Sequence, residues 1–339
     1  MAFTPDFSLD ALEAFARAHI AGLEGPMVLA PTSGGQSNPT FYLSFGDRRL
    51  VLRKQPPGEL APSAHAVDRE FRILQALHAT AVPVPRPLAY CGDRELIGTL
   101  FYIMECVDGT ICYEAALPDL LPEQRRSIFL SAAGALRELH ALDPAAVGLA
   151  DLGKAGGFYQ RQVARWGRFW HEHGLGDNPA LDAVLDWLER NLPVHNQIAI
   201  SHGDFRFANL MIAPNRQGIS AIFDWELSTI GHPHFDVGYF CMVYHTTPEE
   251  NGGLLGLDLA ALGIPTKHEF LSAYFGGRPD AFTLFDQVFA LFRGSAGAES
   301  VAARAAMGQG TAENSFAFGR QMGASYAQRA LQLISDGEA

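Results

Sequence analysis

Two short stretches near the middle of the chain carry most of its chemistry: SHGDFRFAN at residues 201–209 and DWE at residues 224–226. They place Asp204 two residues before Arg206 and five before Asn209, with a second aspartate, Asp224, beyond a short hairpin. Phosphoryl transfer from ATP needs a carboxylate that orients the attacking hydroxyl and a cation that meets the γ-phosphate. It also needs an amide and a carboxylate that hold Mg²⁺. These residue types at this spacing predict that chemistry.

The first stretch has the residue order of the protein kinase catalytic loop, H-x-D-x-K-x-x-N. His202, Asp204 and Asn209 occupy the three invariant positions, and Arg206 stands where serine/threonine kinases have lysine. We interpret Asp204 as the catalytic base, or as the residue that aligns the substrate hydroxyl. Arg206 is interpreted as the cation at the γ-phosphate, and His202 as structural. The alternatives are a helix N-cap for Asp204 and an ordinary surface position for Arg206.

The predicted metal ligands are Asn209 and Asp224, because Mg²⁺ prefers hard oxygen ligands. Glu226 follows Asp224 closely, and both a supporting role and direct ligation remain open for it. The segment HPH at residues 232–234 lacks the H-E-x-x-H spacing of a zinc site, so no metal is expected there.

The composition is that of an ordinary globular protein, with 339 residues, 48% hydrophobic and 18% charged. A net charge of −12 argues against a nucleic-acid partner, which needs a basic face. The acidity permits a cationic substrate, but it is also a common solution to solubility. The four cysteines have no C-x-x-C spacing and suggest reduced thiols. No export signal and no apolar run long enough to span a bilayer is visible, so we expect a soluble cytoplasmic protein without a membrane partner. The oligomeric state is left open.

The pattern of short and long segments predicts two unequal lobes. Short strands are expected at 41–45, 49–53 and 101–107, with a helix at 68–77, whereas longer helices follow Gly109. This order predicts an α+β protein with a small β-rich N-lobe at residues 1–107. The larger, mainly helical C-lobe would occupy residues 108–339 and carry the catalytic and metal loops.

The N-lobe supplies the candidate nucleotide-binding residues. The loop from Ser33 to Thr40 contains Ser37 and Asn38 and lies where a phosphate-covering loop should be, although it is not G-x-G-x-x-G. Arg53 ends a strand, at the position of the kinase phosphate-binding lysine, and Glu70 on the next helix can pair with it. Alternation along the strand predicts that Lys54 points away from the cleft.

The end of the strand at 101–107 is the predicted hinge. Backbone groups of Glu105 and Val107 would meet the adenine of ATP there.

The chain resembles the aminoglycoside phosphotransferase/choline kinase-like family, whose members share the protein kinase fold. Within that family it is most similar to the phosphotransferase domain of acyl-CoA dehydrogenase family members ten and eleven. The stretches that carry the resemblance are 33–38, 50–58 with 62–66, 101–109, 161–162 with Trp166, and 201–236. The family usually has Gly-Asp-Pro after the metal loop, whereas this chain has GHP at 231–233 and keeps Asp236, the carboxylate that braces the catalytic loop.

The resemblance implies ATP- and Mg²⁺-dependent phosphorylation of a hydroxyl on a small molecule, with a 4-hydroxyacyl-CoA as the first expected acceptor. An aminoglycoside or another amino alcohol is the second. A non-catalytic, nucleotide-binding pseudokinase is the alternative of a different class. That alternative would be expected to lose Asp204, Asn209 or Asp224, and all three are present.

Overall fold

A computed structural model describes residues 5–32, 38–58, 66–194, 197–308 and 315–337 of the chain. Within these ranges no helix is both long and apolar enough to cross a membrane.

The N-terminal part is a five-stranded antiparallel sheet with two helices. Its strands are β1 (Met27–Pro31), β2 (Thr40–Phe45), β3 (Arg48–Lys54), β4 (Pro87–Cys91) and β5 (Phe101–Glu105), in the spatial order β1-β2-β3-β5-β4. Burial alternates residue by residue along β2, as expected for a strand between two differently packed faces. The helices are α1 (Leu9–His19) and α2 (Val67–His78).

The two helices cover opposite faces of this sheet. Leu12 of α1 packs in one cluster with Leu43 and Ile103 of the sheet. Ile73 of α2 belongs to another cluster together with Tyr102. Successive side chains of one strand point to opposite faces, so β5 contributes to both clusters.

The rest of the chain is mainly helical, with short strands around the catalytic stretch. A single helical turn, α3 (Arg94–Ile97), connects β4 to β5 within the sheet. The helices of the remaining part are α4 (Pro122–His140), α5 (Phe158–His173), α6 (Pro179–Arg190), α7 (His234–Cys241), α8 (Leu259–Leu262), α9 (Lys267–Tyr274), α10 (Leu284–Ala306) and α11 (Ser315–Gly337). Its strands are β6 (Thr110–Ile111), β7 (Ala199–Ser201), β8 (Leu210–Ile212), β9 (Ile219–Ile222) and β10 (Thr229–Gly231). Strand β7 pairs with β10, and β8 lies between β6 and β9.

Two cores support this part. Helices α5, α6, α10 and α11 pack around one cluster that includes Trp170, Leu185 and Phe289. The cluster beneath α2 continues through Phe129 of α4 to Phe205 in the catalytic stretch. The catalytic stretch therefore lies where the sheet and α2 pack against the helical part.

The predicted strands and helices lie where the structure has them, usually within two residues at either end. Strands β1 and β4 are not among the predicted strands. Both are edge strands, whose short and irregular sequences give little periodicity. The boundary between the lobes at residue 107 stays a prediction.

Candidate active site

The catalytic loop begins with a sharp turn at Gly203. Its φ of +88° lies in the left-handed region, and a Cβ atom there would stand 2.4 Å from the carbonyl oxygen of Leu227. Only glycine suits both the backbone angle and the close approach. This turn brings Asp204 out of β7 and toward the cleft, and a single 3-10 turn at Phe207–Asn209 then leads into β8.

Asp236 of α7 binds the backbone of this turn. Its fully buried carboxylate accepts the backbone N–H of His202 at 2.7 Å and that of Gly203 at 2.8 Å, and His140 Nε2 lies 3.1 Å away. Burial opposes ionisation, but the hydrogen bond and charge of His140, together with the Gly203 N–H, hold the pKa of Asp236 below its usual range. The brace expected at Asp236 is therefore present.

Asp204 and Asn209 face each other across the loop. Asn209 Nδ2 donates to the backbone oxygen of Asp204 at 2.8 Å and to its carboxylate Oδ2 at 2.7 Å. Because the amide nitrogen is used in this way, Asn209 Oδ1 is the side-chain atom left for a cation.

Arg206 lies beside the same carboxylate. Its Nε is 3.4 Å from Asp204 Oδ2, and 45% of its side chain is exposed. Although burial opposes it, the charge of Asp204 raises the pKa of Arg206. The guanidinium is thus a fixed cation at the mouth of the loop, and its role at a γ-phosphate stays a prediction.

Asp224 joins the loop through the backbone, since the N–H of Phe223 donates to the carbonyl of Asn209 at 2.9 Å. Asp224 has a φ of +64°, an uncommon conformation for a residue with a side chain. Its carboxylate lies close to those of Glu226 and Glu70, with ligand atoms within 4.8 Å of one another. This places Glu226 at the predicted metal site.

Glu70 differs from the other two carboxylates because its oxygens already accept several bonds. Arg53 Nε donates to Oε2 at 2.6 Å, Tyr102 donates to the same oxygen at 3.0 Å, and Asn38 Nδ2 donates to Oε1 at 2.8 Å. Glu70 therefore orients Arg53, and the metal-binding roles of Asp224 and Glu226 stay predictions. The ion pair expected between Arg53 and Glu70 is present.

Arg53 connects the two parts of the site. Besides Glu70, its guanidinium contacts Asp224 Oδ1 at 2.8 Å. Despite burial, the charge of Glu70 raises the pKa of Arg53, so the residue stays cationic. Lys54 points to the other face of the sheet, 3.6 Å from Asp6 and over the ring of Phe7, as strand alternation predicted.

The remaining nucleotide-site predictions have mixed outcomes. Ser37 lies outside the described residues. Asn38 is fully buried against Glu70, so its side chain supports the ion pair. Glu105 donates its backbone N–H to the carbonyl of Arg86 at 2.9 Å, and a contact to adenine from this residue would have to use its carbonyl. Val107 follows β5 in an irregular, half-buried segment.

Two contributors were missed in the sequence. Tyr102 donates to Glu70 from the neighbouring strand, and a tyrosine inside an apolar strand gives no sign of such a partner. Arg69, directly before Glu70, donates to the backbone carbonyls of Leu152 at 3.0 Å and Ser228. It thereby connects α2 to the segment around Ser228, which follows the predicted metal ligand Asp224.

The histidines of the HPH segment take part in a hydrogen-bonded cluster in the core. His232, His234 and Asp286 present ligand atoms within 4.8 Å of one another. Asp286 also accepts bonds from Tyr159 at 2.7 Å and from Thr283 at the start of α10. We interpret this cluster as structural, since the carboxylate already has protein donors on both oxygens.

The chain belongs to the phosphotransferase enzyme family, whose model matches residues 28–272. It is 39% identical over 307 residues to acyl-CoA dehydrogenase family member 10 of Mus musculus, covering 88% of this chain and 29% of the relative. It is 37% identical over 324 residues to acyl-CoA dehydrogenase family member 11 of Homo sapiens, covering 92% and 41%. The chain thus spans less than half the length of these relatives, and the resemblance inferred from the motifs is confirmed.

Solved structures confirm the fold class. A candidate aminoglycoside phosphotransferase from Ralstonia eutropha is 34% identical with a TM-score of 0.86, covering 96% of this chain and 99% of that one. A choline kinase from Cryptosporidium parvum is 15% identical with a TM-score of 0.63, covering 96% and 98%. A spectinomycin phosphotransferase in complex with ADP is 10% identical with a TM-score of 0.64, covering 96% and 98%. The last two show the fold alone: the small sheet and larger helical part of kinase-like phosphotransferases.

Proposed function

We propose that this protein is an ATP- and Mg²⁺-dependent phosphotransferase that phosphorylates a hydroxyl of a small molecule. The observation that carries the proposal is the joint arrangement of Asp204, Asn209 and Asp224 around one loop, with Arg53 bound to both Glu70 and Asp224. A base, an amide, a metal-binding carboxylate and an anchored cation together suit phosphoryl transfer.

ATP would lie between the sheet and the catalytic loop. Arg53 would contact its phosphates, and the segment after β5 would face the adenine. Mg²⁺, when bound, would neutralise charge on the phosphates. Asn209 Oδ1 and the carboxylates of Asp224 and Glu226 offer it the hard oxygen ligands that it prefers.

Asp204 would orient the acceptor hydroxyl for in-line attack on the γ-phosphorus. The hydroxyl oxygen forms the new P–O bond while the bond to the bridging β–γ oxygen breaks, so ADP leaves and the phosphate remains on the acceptor. The hydroxyl proton passes to the Asp204 carboxylate. Arg206, beside that carboxylate, would offset the negative charge of the transferring group.

For the acceptor we propose a 4-hydroxyacyl-CoA. The names of the relatives at 37–39% identity refer to acyl-CoA enzymes, which favours an acyl thioester. The helical side also has an open surface depression of about 420 Å³, whose wall has aliphatic and polar side chains. Its lining residues are His245, Leu255, Ser325, Gln328, Arg329, Gln332 and Leu333. The leucines suit an acyl chain, whereas Arg329 is already paired with Glu250 at 2.5 Å.

An aminoglycoside or amino alcohol is the second candidate acceptor. The net charge of −12 and the likeness to a candidate aminoglycoside phosphotransferase favour it. Net charge describes the whole surface, however, and not the pocket that binds the acceptor.

The test is ADP release and product mass with purified protein, ATP, Mg²⁺ and a panel of 4-hydroxyacyl-CoAs, aminoglycosides and amino alcohols. Phosphorylation of the acyl-CoAs supports the first acceptor. Turnover confined to aminoglycosides replaces it with the second. Tight ATP binding without phosphorylation of any acceptor contradicts the kinase assignment and favours the pseudokinase alternative.

A further inference from the structure

The carboxylate of Asp204 has a neighbour that the catalytic pattern does not include. Tyr239, on α7, is close enough for the charge of that carboxylate to act on its phenol. Burial and the charge of Asp204 raise the pKa of Tyr239, so its hydroxyl keeps its proton and can act as a donor. Asn209 already binds Asp204 Oδ2, and a second donor from another element would fix the orientation of the carboxylate further.

Arg293, on α10, holds Tyr239 in place. Its guanidinium lies 4.4 Å from the ring centre of Tyr239 and 4.6 Å from that of Phe235, so it lies against both aromatic faces. The same guanidinium donates from its second terminal nitrogen to the backbone carbonyl of Gly203 at 2.5 Å. Arg293 thus touches the catalytic turn on one side and the Tyr239 ring on the other.

A nitrogen of the Arg293 guanidinium that has no partner in the described part of the chain indicates that this residue does more than fill space in the core. Its first terminal nitrogen is buried and lacks a hydrogen-bond partner among the described residues. Leaving a buried donor unpaired is costly, and an apolar residue would avoid that cost. The cation nevertheless lies next to the catalytic loop, where its charge and its bond to Gly203 act on Asp204 through one peptide unit.

We propose that Tyr239 and Arg293 are positioning residues for phosphoryl transfer. Arg293 fixes the Tyr239 ring and the Gly203 carbonyl, and Tyr239 donates to the Asp204 carboxylate. Together with Asn209 they set which carboxylate oxygen faces the acceptor hydroxyl. This inference rests on the proposed function, and it makes α10 a part of the catalytic apparatus.

The kinetic test compares Tyr239→Phe, Arg293→Met and Arg293→Lys with the wild type. Loss of one hydrogen bond to a charged group should lower kcat by about 10- to 100-fold in Tyr239→Phe. The KM for ATP and the Tm should stay near the wild-type values, since neither residue touches the Arg53 network. Arg293→Lys keeps a cation over the ring and should retain more activity than Arg293→Met.

Two matched controls separate positioning from general support. Tyr244→Phe removes a phenol that donates to the carbonyl of Pro265 at 2.9 Å, and Arg304→Met removes an arginine of the same helix that bonds Ser300 at 2.7 Å. Both should keep the wild-type kcat. Full activity in Tyr239→Phe, or a loss of activity that follows the loss of Tm, overturns the proposal.

Amide hydrogen exchange tests whether Arg293 holds the catalytic turn, and it needs no acceptor substrate. Faster exchange at residues 202–206 in Arg293→Met, with unchanged exchange in α4 and α10, is expected if Arg293 holds the turn. Unchanged exchange at 202–206 overturns the inference, even if no acceptor is found and the proposed function itself fails.

Discussion

Replacing Glu70 with glutamine tests how strongly the buried carboxylate holds the nucleotide face of the cleft. Glu70 is 2% exposed and accepts bonds from Asn38, Arg53 and Tyr102. In Glu70→Gln one acceptor oxygen becomes an NH₂ group that faces these donors. The Arg53 guanidinium, 11% exposed, then keeps Asp224 as its remaining ionic partner among the described residues.

The expected cost follows from the burial of this pair. Removing one partner of a buried ion pair costs about 3–5 kcal/mol when the other charge is left uncompensated. The lower end of that range applies here, because Asp224 still pairs with Arg53. An unfolding entropy of about 2.1 cal/mol/K per residue makes each kcal/mol worth about 1.4 °C in a chain of 339 residues. The Tm should therefore fall by roughly 4 °C. The kcat/KM for ATP should fall by about 10-fold or more, since a misplaced Arg53 loses its phosphate contact.

Differential scanning calorimetry and an ATP titration measure both effects. The control is Asp108→Asn, which breaks an ion pair at 2.8 Å with Arg49 on the same strand as Arg53. Asp108 is 75% exposed, so its Tm should change by less than about 1.5 °C. If Glu70→Gln matches this control in Tm and in KM for ATP, the network does not hold Arg53 and the reasoning is refuted.

Three further substitutions have expected outcomes. Gly203→Ala should reduce kcat by more than about 10-fold and lower the Tm, because the new Cβ would meet the Leu227 carbonyl. The control Gly98→Ala has open space at a similar φ and should cost only about 1 kcal/mol of stability. Equal effects of the two substitutions on activity would contradict the role of the Gly203 turn. Asp224→Asn should abolish Mg²⁺-dependent turnover, whereas Glu226→Gln should raise the Mg²⁺ concentration needed; the reverse ranking in a Mg²⁺ titration would exchange their roles. Burial and the charge of Lys267 lower the pKa of His245 to about 4. Its contribution to stability is therefore complete above about pH 6.5 and is lost as the pH falls toward 4, by at most about 3 kcal/mol. Urea unfolding of His245→Gln across that window should show a flatter pH profile than wild type, and parallel profiles would contradict the assignment.

The residues that the sequence predicted well are those whose partners lie nearby along the chain. Asp204 and Asn209 share one loop, so their spacing nearly determines their contact. Arg53 and Glu70 lie on consecutive elements, and strand alternation settled which of Arg53 and Lys54 faces the cleft. These positions could be placed from local geometry alone.

The contacts that the sequence did not reveal join distant elements. Tyr102 on β5 reaches Glu70 from 32 residues further along the chain, and Arg293 reaches Gly203 from a helix 90 residues further along. A tyrosine in an apolar strand or an arginine on an amphipathic helix looks the same whether or not it has such a partner. Which residue fills the space beside a carboxylate depends on how the helices pack, and periodicity does not encode that.

The most direct test of the central claim is acceptor phosphorylation by Asp204→Asn, followed by ADP release and product mass, with ATP affinity measured on the same protein. Asparagine keeps the shape of the side chain but cannot accept the hydroxyl proton. The account predicts that kcat falls by at least about 100-fold. The affinity for ATP should stay within about threefold of the wild type, because Arg53, Glu70 and Asp224 are untouched. Phosphorylation at the wild-type rate in this variant would contradict the role of Asp204 and with it the proposed mechanism.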